Sequence, residues 1–310
     1  MPSSQDFAAF ERRLADDAAA TQAMLDRLLG EAAEAGEIHR PARLVAAMRH
    51  AALGGGKRLR PFLMIETARM FGVENDGVVR AAAGLELLHC YSLVHDDLPA
   101  MDDDDLRRGR PTVHKAFDEA TAILAGDALL TLAFDVMAAP ATHANAEIRA
   151  DLTLRLARAA GLGGMAGGQA LDLAAEAADA PLSHAEIARL QAMKTGALIL
   201  FAVEAGAILG QADAAARAAL SRYGAVIGEA FQIADDILDA EGDEAALGKR
   251  AGKDAERNKA TFVSVLGLEG ARRRLSDLVA EAQAALDDLG PQAATGVLRA
   301  TARFIAERRN

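Results

Sequence analysis

The densest chemistry in the sequence is an acidic run, His95-Asp96-Asp97-Leu98-Pro99-Ala100-Met101-Asp102-Asp103-Asp104-Asp105. It closes an apolar stretch of helical spacing over residues 85–94. Carboxylates at this density repel one another, and a helix C-terminus is already the negative end of the helix dipole. Leu98 precedes a proline and is biased away from helix, so the helix is expected to end or bend there. Two readings fit this run alone, a solvated acidic loop or a cation site. A second acidic set favours the cation. In Phe231-Gln232-Ile233-Ala234-Asp235-Asp236-Ile237-Leu238-Asp239, Asp235 and Asp239 share one helical face among apolar neighbours. Carboxylates in such a face are costly unless paired or bound to metal. Two acidic clusters on two apolar helices point to one metal site in a helical cavity. Mg²⁺ suits it, because that ion takes oxygen ligands, keeps waters, and bridges one or two carboxylates to substrate phosphates.

Cations supply the other half. Gly54-Gly55-Gly56-Lys57-Arg58-Leu59-Arg60-Pro61 places three of them after a glycine run. It is not a P-loop, since no Ser or Thr follows the lysine and no strand precedes it. Lys57 and Arg60 can face one way if a helix begins there. Arg107-Arg108-Gly109-Arg110-Pro111 follows the first acidic run, and Lys194-Thr195, Lys249-Arg250, Lys253 and Lys259 come later. Balancing nearby aspartates explains Arg110 on its own. The set as a whole, beside carboxylate clusters suited to Mg²⁺, reads as diphosphate binding.

These groups must be held by helices. Of the 310 residues 51% are hydrophobic but only 4% aromatic, and Trp is absent. Ala and Leu dominate, and they are strong helix formers, whereas strands favour β-branched and aromatic residues. Apolar spacing predicts helices within residues 1–50, with Gly36 between two stripes, and over 61–71, 78–98, 117–138, 146–160, 184–211, 213–241 and 269–288. The Gly-rich stretch 161–168 reads as a close approach of two helices. No long linker or repeat stands out, so the expectation is an all-α fold. It is a single helical-bundle domain over 1–310, with roughly ten or more helices around a central cavity. The net charge of −11 argues against non-specific nucleic-acid binding. If the substrate is anionic, something must offset the acidic groups near it, and metal ions bridging the two would do so. The one cysteine, Cys90, reads as a small core residue. No basic region followed by an apolar stretch opens the chain, and the most apolar stretch, 195–210, is broken by Glu204. No signal peptide, no membrane span and a cytoplasmic setting are therefore expected.

Taken together, these residues resemble the trans-isoprenyl diphosphate synthases, most closely the bacterial farnesyl diphosphate synthases. The resemblance runs from about residue 53 to 268. It is carried by 91–112 and 231–239 as two aspartate-rich motifs. Gly55-Gly56-Lys57-Arg58-Leu59-Arg60-Pro61, Gly167-Gly168-Gln169-Ala170-Leu171-Asp172, Lys194-Thr195-Gly196-Ala197 and Leu247-Gly248-Lys249 carry the rest. The four-residue spacer before Asp102 is the bacterial form.

That resemblance implies an isoprenoid-synthase fold, a homodimer and three Mg²⁺ ions. It implies that Asp96 and Asp102 hold two ions on the allylic diphosphate, that Asp97 supports them, and that Asp235 holds the third. Arg107, Lys194 and Lys249 would grip the allylic diphosphate. Lys57, Arg60, His89 and Arg108 would bind isopentenyl diphosphate, and Thr195 and Gln232 would sit beside the reacting carbons. The implied reaction is ionisation, condensation and elimination. It joins isopentenyl diphosphate to dimethylallyl and then geranyl diphosphate, giving (2E,6E)-farnesyl diphosphate. Geranylgeranyl or geranyl diphosphate is the alternative product. On a helix rising about 1.5 Å per residue, Tyr91 lies roughly 7–8 Å below Asp96. There its ring either floors the channel for the growing tail or faces another helix, while the small Ser92 leaves room for the ten-carbon intermediate. The chain departs from its bacterial relatives at Asn258-Lys259-Ala260-Thr261-Phe262-Val263, which lacks their glycine and proline. A terpene cyclase would have no need of the basic glycine-loop site, and a non-catalytic partner subunit would have lost an aspartate motif.

Overall fold

The computed structural model describes residues 4–178, 180–242 and 261–307. In chain order the elements are α1 (Ser4–Leu28), α2 (Ala42–Ala52), α3 (Leu59–Arg69), α4 (Asp76–Asp96), β1 (Leu106–Arg107), β2 (Arg110–Pro111), α5 (Val113–Ala116), α6 (Glu119–Ala138), α7 (Ala146–Ala160), α8 (Met165–Glu176) and α9 (His184–Gln191). A π-helical turn, Ala192–Gly196, follows, then α10 (Ala197–Leu209) and α11 (Ala214–Ala240). After residues 243–260 come α12 (Phe262–Asp287) and α13 (Gly296–Glu307). The fold is all-α, as expected. Among the described residues the only strands are the two-residue arms of one hairpin, pairing Leu106 with Pro111 and Arg107 with Arg110. Its turn, Arg108-Gly109, has positive φ at both positions (52° and 73°). This is the two-residue hairpin geometry whose twist matches the arms.

Packing gathers the described residues into two compact units. One draws on Met1–Arg12, Glu66–Glu74 and Leu154–Asn310, the other on Arg13–Ile65 and Asn75–Thr153.

The second unit is built on α4. Asn75 caps its start by accepting from the Val78 N–H at 3.1 Å. Ala81, Ala82, Ala83, Leu85, Leu87 and Leu88 are fully buried, so the helix is apolar almost all round, as a central core helix must be. It packs on α6, and Gly84 leaves room for Val136 and Met137 of that helix. Asp118 caps α6 through the Thr121 N–H at 2.7 Å and pairs with Arg43 at 2.6 Å. These contacts hold the Asp118 carboxyl at about 2, below the usual carboxylate range.

The other unit is built on α11, which packs on α10, the π turn, α12 and α13. Its polar groups are tied inward. The fully buried Tyr223 of α11 donates to the Leu298 carbonyl of α13 at 2.7 Å. Ser183 and Glu186 form a reciprocal capping box at the start of α9.

Most predicted helices fall where expected. Helices α5, α8 and α13 lie outside the stretches that apolar spacing predicts. The glycines 161–168 contain the start of α8, and the expected close approach holds at Gly168, where a side chain would collide with the Lys194 backbone. The stretch 184–211 is continuous but is not one regular helix, because the π turn interrupts it. By length and composition α4, α6 and the α9–α10 stretch could each cross a membrane. In α4 and α9–α10, 61% of the apolar window is buried within the protein, against 39% in α6. Tyr223→Phe keeps the ring but removes the hydroxyl's hydrogen bond to the Leu298 carbonyl. The expected loss is about 0.5–1.5 kcal/mol, read as a lower urea midpoint at unchanged slope. An unchanged midpoint contradicts this packing role.

Candidate active site

The α4 unit gathers one set of the sequence-predicted residues. Helix α4 ends at Asp96, with Asp97 as its C-cap. The following loop folds back over that end: the Asp102 N–H donates to the Asp96 carbonyl at 2.8 Å, and the Asp104 N–H to the Asp97 carbonyl at 3.2 Å. Two orphan carbonyls of the helix end are thereby satisfied, and Asp102 is brought beside Asp96. Both side chains are half-exposed, whereas Asp97 is buried at 3%. Asp97 accepts from Arg107, at 2.7 Å from Nε and 2.5 Å from Nη2. Burial pushes its carboxyl above the usual range, and Arg107 pulls it back. Arg107 is thus anchored on Asp97, with part of its five-donor fork left over.

The hairpin turn sets Arg108 against the glycine loop, where it donates to the Gly55 carbonyl. A side chain at Gly56 would collide with that guanidinium. An open pocket of about 430 Å³ is lined here by Gly54, Cys90, Asp97, Arg107, Arg108 and Arg110, among others. Lys57 is exposed, while Arg60 is half-buried with Nη1 3.4 Å from His89 Nε2. Burial, and then Arg60, Arg108, Arg107 and Arg58, hold His89 well below its ordinary value. The imidazole is therefore neutral. Arg110 is held by His50 Nδ1 at 3.1 Å, and Asp105 by Lys115 at 2.8 Å. Burial and Glu86 push the Cys90 thiol up to about 12, which suits a core residue and no nucleophile.

On α4, His89, Ser92 and Asp96 follow one another at helical spacing. Ser92 donates to the His89 carbonyl at 2.8 Å. Tyr91 lies about 100° round the helix from Ser92. Its half-buried ring meets the His95 ring edge-on at 5.7 Å, and His95 reaches the Ile123 carbonyl at 3.1 Å. Gly126 makes room for that imidazole.

The α11 unit gathers the other set. Lys194 and Thr195 sit in the π turn, a feature frequent at functional sites. The extra residue of the turn fits because two glycines approach it. Gly168 lies against the Lys194 backbone, and a side chain at Gly228 would lie 2.9 Å from Gly196 Cα. Lys194 Nζ pairs with the buried Asp172 at 2.5 Å. Thr195 donates to Gln232 Oε1 at 2.9 Å, and Gln232 Nε2 donates to Asp236 Oδ1 at 2.8 Å. Asp236 Oδ2 also accepts the Phe262 N–H at 2.7 Å. A carboxylate only accepts, so Asp236 dictates which way the Gln232 amide points. Asp235 is half-exposed, while Asp236 and Asp239 are buried. Lys249, Lys253 and Lys259 lie outside the described residues.

The carboxylates supply hard oxygens only, the chemistry of Mg²⁺ rather than of a softer ion. Among the described residues no three His, Cys, Asp or Glu side chains converge to hold a metal alone. Mg²⁺ fits that arrangement, since one or two carboxylates with waters and substrate oxygens complete its shell.

Residues 41–294 match the model of the polyprenyl synthetase family. The chain belongs to that family. A farnesyl diphosphate synthase of Escherichia coli strain K12 is 49% identical over 268 residues, covering 86% of this chain and 89% of its own. One from Haemophilus influenzae is 44% identical over 291 residues, covering 93% and 96%. Among solved structures, an FPP/GFPP synthase from Zymomonas mobilis, in its apo form, superposes with a TM-score of 0.84 at 43% identity. That match covers 97% of this chain and 99% of the other.

In this polyprenyl synthetase the sequence motifs contain Asp172 and Asp236 without assigning them the orienting roles they have here, and Gly228 lies outside every motif. Asp236 carried a signal, being a carboxylate on an apolar helix beside the more exposed Asp235. The π turn carried none. Asp236→Asn cannot accept from both Gln232 and Phe262 in the same way. It is expected to cost about 1–3 kcal/mol, because one buried donor is left unpaired. Turnover should fall about tenfold as the Gln232 amide loses its orientation. Unchanged stability and turnover contradict the relay. For His89 the sign follows from its depressed folded-state value. The unfolded chain takes up the proton near 6.5 and the folded chain does not, so stability is lost as pH falls below that value. In His89→Gln the drop in melting temperature between about pH 7 and pH 5 should be smaller than in the parent. Parallel profiles contradict a neutral, half-buried His89.

Proposed function

We propose that the protein is a farnesyl diphosphate synthase. The observation that carries the two-substrate reading is the presence of two unlike sets of groups. A cationic set stands on the glycine loop, α4 and the hairpin, and carboxylates stand at the end of α4 and on α11. A single diphosphate has no need of both. The names borne by relatives at 44–49% identity support the fifteen-carbon product.

In this reading Lys57, Arg60, His89 and Arg108 hold isopentenyl diphosphate. The neutral His89 donates one hydrogen bond while the guanidinium and ammonium groups carry the charge. Asp96, Asp102 and Asp235 hold Mg²⁺, three ions in all, with Asp97 keeping Arg107 in place. Bound magnesium supplies the positive charge that steadies a departing diphosphate. Arg107, Lys194 and Lys249 add fixed cations to the same leaving group, Lys194 being aimed by Asp172. The uncharged oxygens of Thr195 and Gln232 lie near the reacting carbons. Their orientation is set by the run from Thr195 through Gln232 to Asp236, which turns the Asp236 carboxylate to Gln232 and to the Phe262 N–H. Tyr91 floors the channel and Ser92 keeps it open above that floor.

A homodimer belongs to the proposal. Helix α6 leaves Ile123 and Leu124 exposed at 46% and 57%, and less of its apolar window is buried than in α4 or α9–α10, which leaves apolar surface for a second copy to cover. A cytoplasmic enzyme without a membrane span is likewise proposed. The acidic charge, the lack of any possible intrachain disulfide and the burial of α4 and α9–α10 support it.

The test is a product assay with Mg²⁺, labelled isopentenyl diphosphate, and dimethylallyl or geranyl diphosphate. Chromatography of the alcohols after phosphatase treatment gives the chain length. Farnesol is expected from both primers. Geranylgeraniol contradicts the product length, and no Mg²⁺-dependent incorporation contradicts the activity. Tyr91→Ala is expected to shift product to twenty carbons or longer, and an unchanged farnesol product removes Tyr91 from that role.

A further inference from the structure

The glycine loop carries three cations, and the structure treats one of them differently. Lys57 is exposed and Arg60 half-buried, whereas Arg58 is 4% exposed and turned into the protein. Its Nη1 donates to Glu86 of α4 at 2.5 Å. Its Nη2 donates to Gln22 Oε1 of α1 at 2.8 Å and to the Ala52 carbonyl, at the end of α2, at 2.5 Å. Glu86 is itself 2% exposed. The loop is in unfavourable backbone: φ is 88° at Gly55, 121° at Gly56 and 50° at Arg58. Glycine tolerates such values, but a long side chain holds them only when its surroundings over-determine it. The Arg58 carbonyl also accepts the Phe62 N–H at 3.0 Å and so opens α3. Its position therefore sets the phase of α3, and with it the direction of Arg60. Glu86 lies three residues before His89, on the neighbouring face of α4.

We propose that Arg58 and Glu86 are a positioning clamp. They do not touch substrate but fix the glycine loop and the first turn of α3 against α4, so that Lys57, Arg60 and His89 meet isopentenyl diphosphate in one preset arrangement. This rests on reading that loop as the isopentenyl diphosphate site. A buried ion pair is an expensive way to gain stability alone, since apolar side chains of similar volume often serve as well. That makes the functional and the merely structural roles separable.

The experiment is steady-state kinetics on the full-length enzyme, varying isopentenyl and geranyl diphosphate separately, with melting temperatures alongside. The double variant Arg58→Met/Glu86→Met removes both charges together. It is expected to stay folded and to raise KM for isopentenyl diphosphate about tenfold or more, as loss of preset geometry does. KM for geranyl diphosphate and kcat should stay within about threefold. Arg58→Lys, which keeps the charge but not the fork, is expected to fall between parent and double variant. A folded double variant with isopentenyl diphosphate KM within about twofold of the parent, or with both KM values raised alike, overturns the clamp. Should the double variant not fold, Arg58→Lys decides by the same two readings. Lys57→Met is the control. If it leaves KM for isopentenyl diphosphate unchanged, the loop is not that site and both readings fall. If it raises that KM while the clamp variants do not, only the clamp falls.

Discussion

Charge placement at the end of α4 is the constraint from which the rest of the α4 unit follows. Asp96, Asp97 and Asp102–Asp105 crowd a helix terminus whose dipole already repels them. The fold answers each carboxylate differently. Asp97 is buried and neutralised by Arg107, and Asp105 is met at the surface by Lys115. Asp96 and Asp102 are left half-exposed, drawn together by a backbone hydrogen bond. The hairpin exists to return Arg107 and Arg108 toward the helix, and its turn accepts positive φ at two positions to do so. Removing Arg107 would leave a buried carboxylate unpaired, a cost of about 3–5 kcal/mol.

The same division between groups that hold and groups that are held recurs in the α11 unit. Buried acids (Asp172, Asp236) orient a lysine and an amide, and a π turn squeezed by Gly168 and Gly228 presents Lys194 and Thr195. In both units a half-buried side chain of the candidate site has a buried neighbour of opposite or complementary character. Local rigidity of that kind is what electrostatic catalysis requires, since donors and charges must be in place before charge develops.

Much of this was legible in the sequence, and the reason is periodicity. Helices such as α4, α7 and α11 show their buried faces in the spacing of Ala, Leu and Ile, and the acidic motifs stand out against apolar runs. That Asp96 closes α4 and that Asp235 stands on α11 follow from helical spacing, while their metal-binding role belongs to the proposal. What stayed hidden depends on tertiary approach. Residues 184–211 look like one apolar helix, and only Gly168 and Gly228 arriving from other elements explain the π turn. Arg58 reads as one cation among three, and nothing in Gly-Lys-Arg-Leu-Arg says that it turns inward to Glu86. The hairpin is too short for alternation to show. Helix α8 opens among the glycines of 161–168, which are poor helix formers and hide its start.

In the proposed enzyme two diphosphates are held by different chemistry, one by carboxylates through Mg²⁺ and one by cations directly. Calorimetric titration of isopentenyl diphosphate, and separately of an unreactive thio analogue of geranyl diphosphate, with Mg²⁺ and then with a chelator, tests it most directly. The account predicts that the chelator weakens the allylic analogue by about a hundredfold or more and isopentenyl diphosphate by less than about threefold. Equal dependence on Mg²⁺, or none for either ligand, would contradict it.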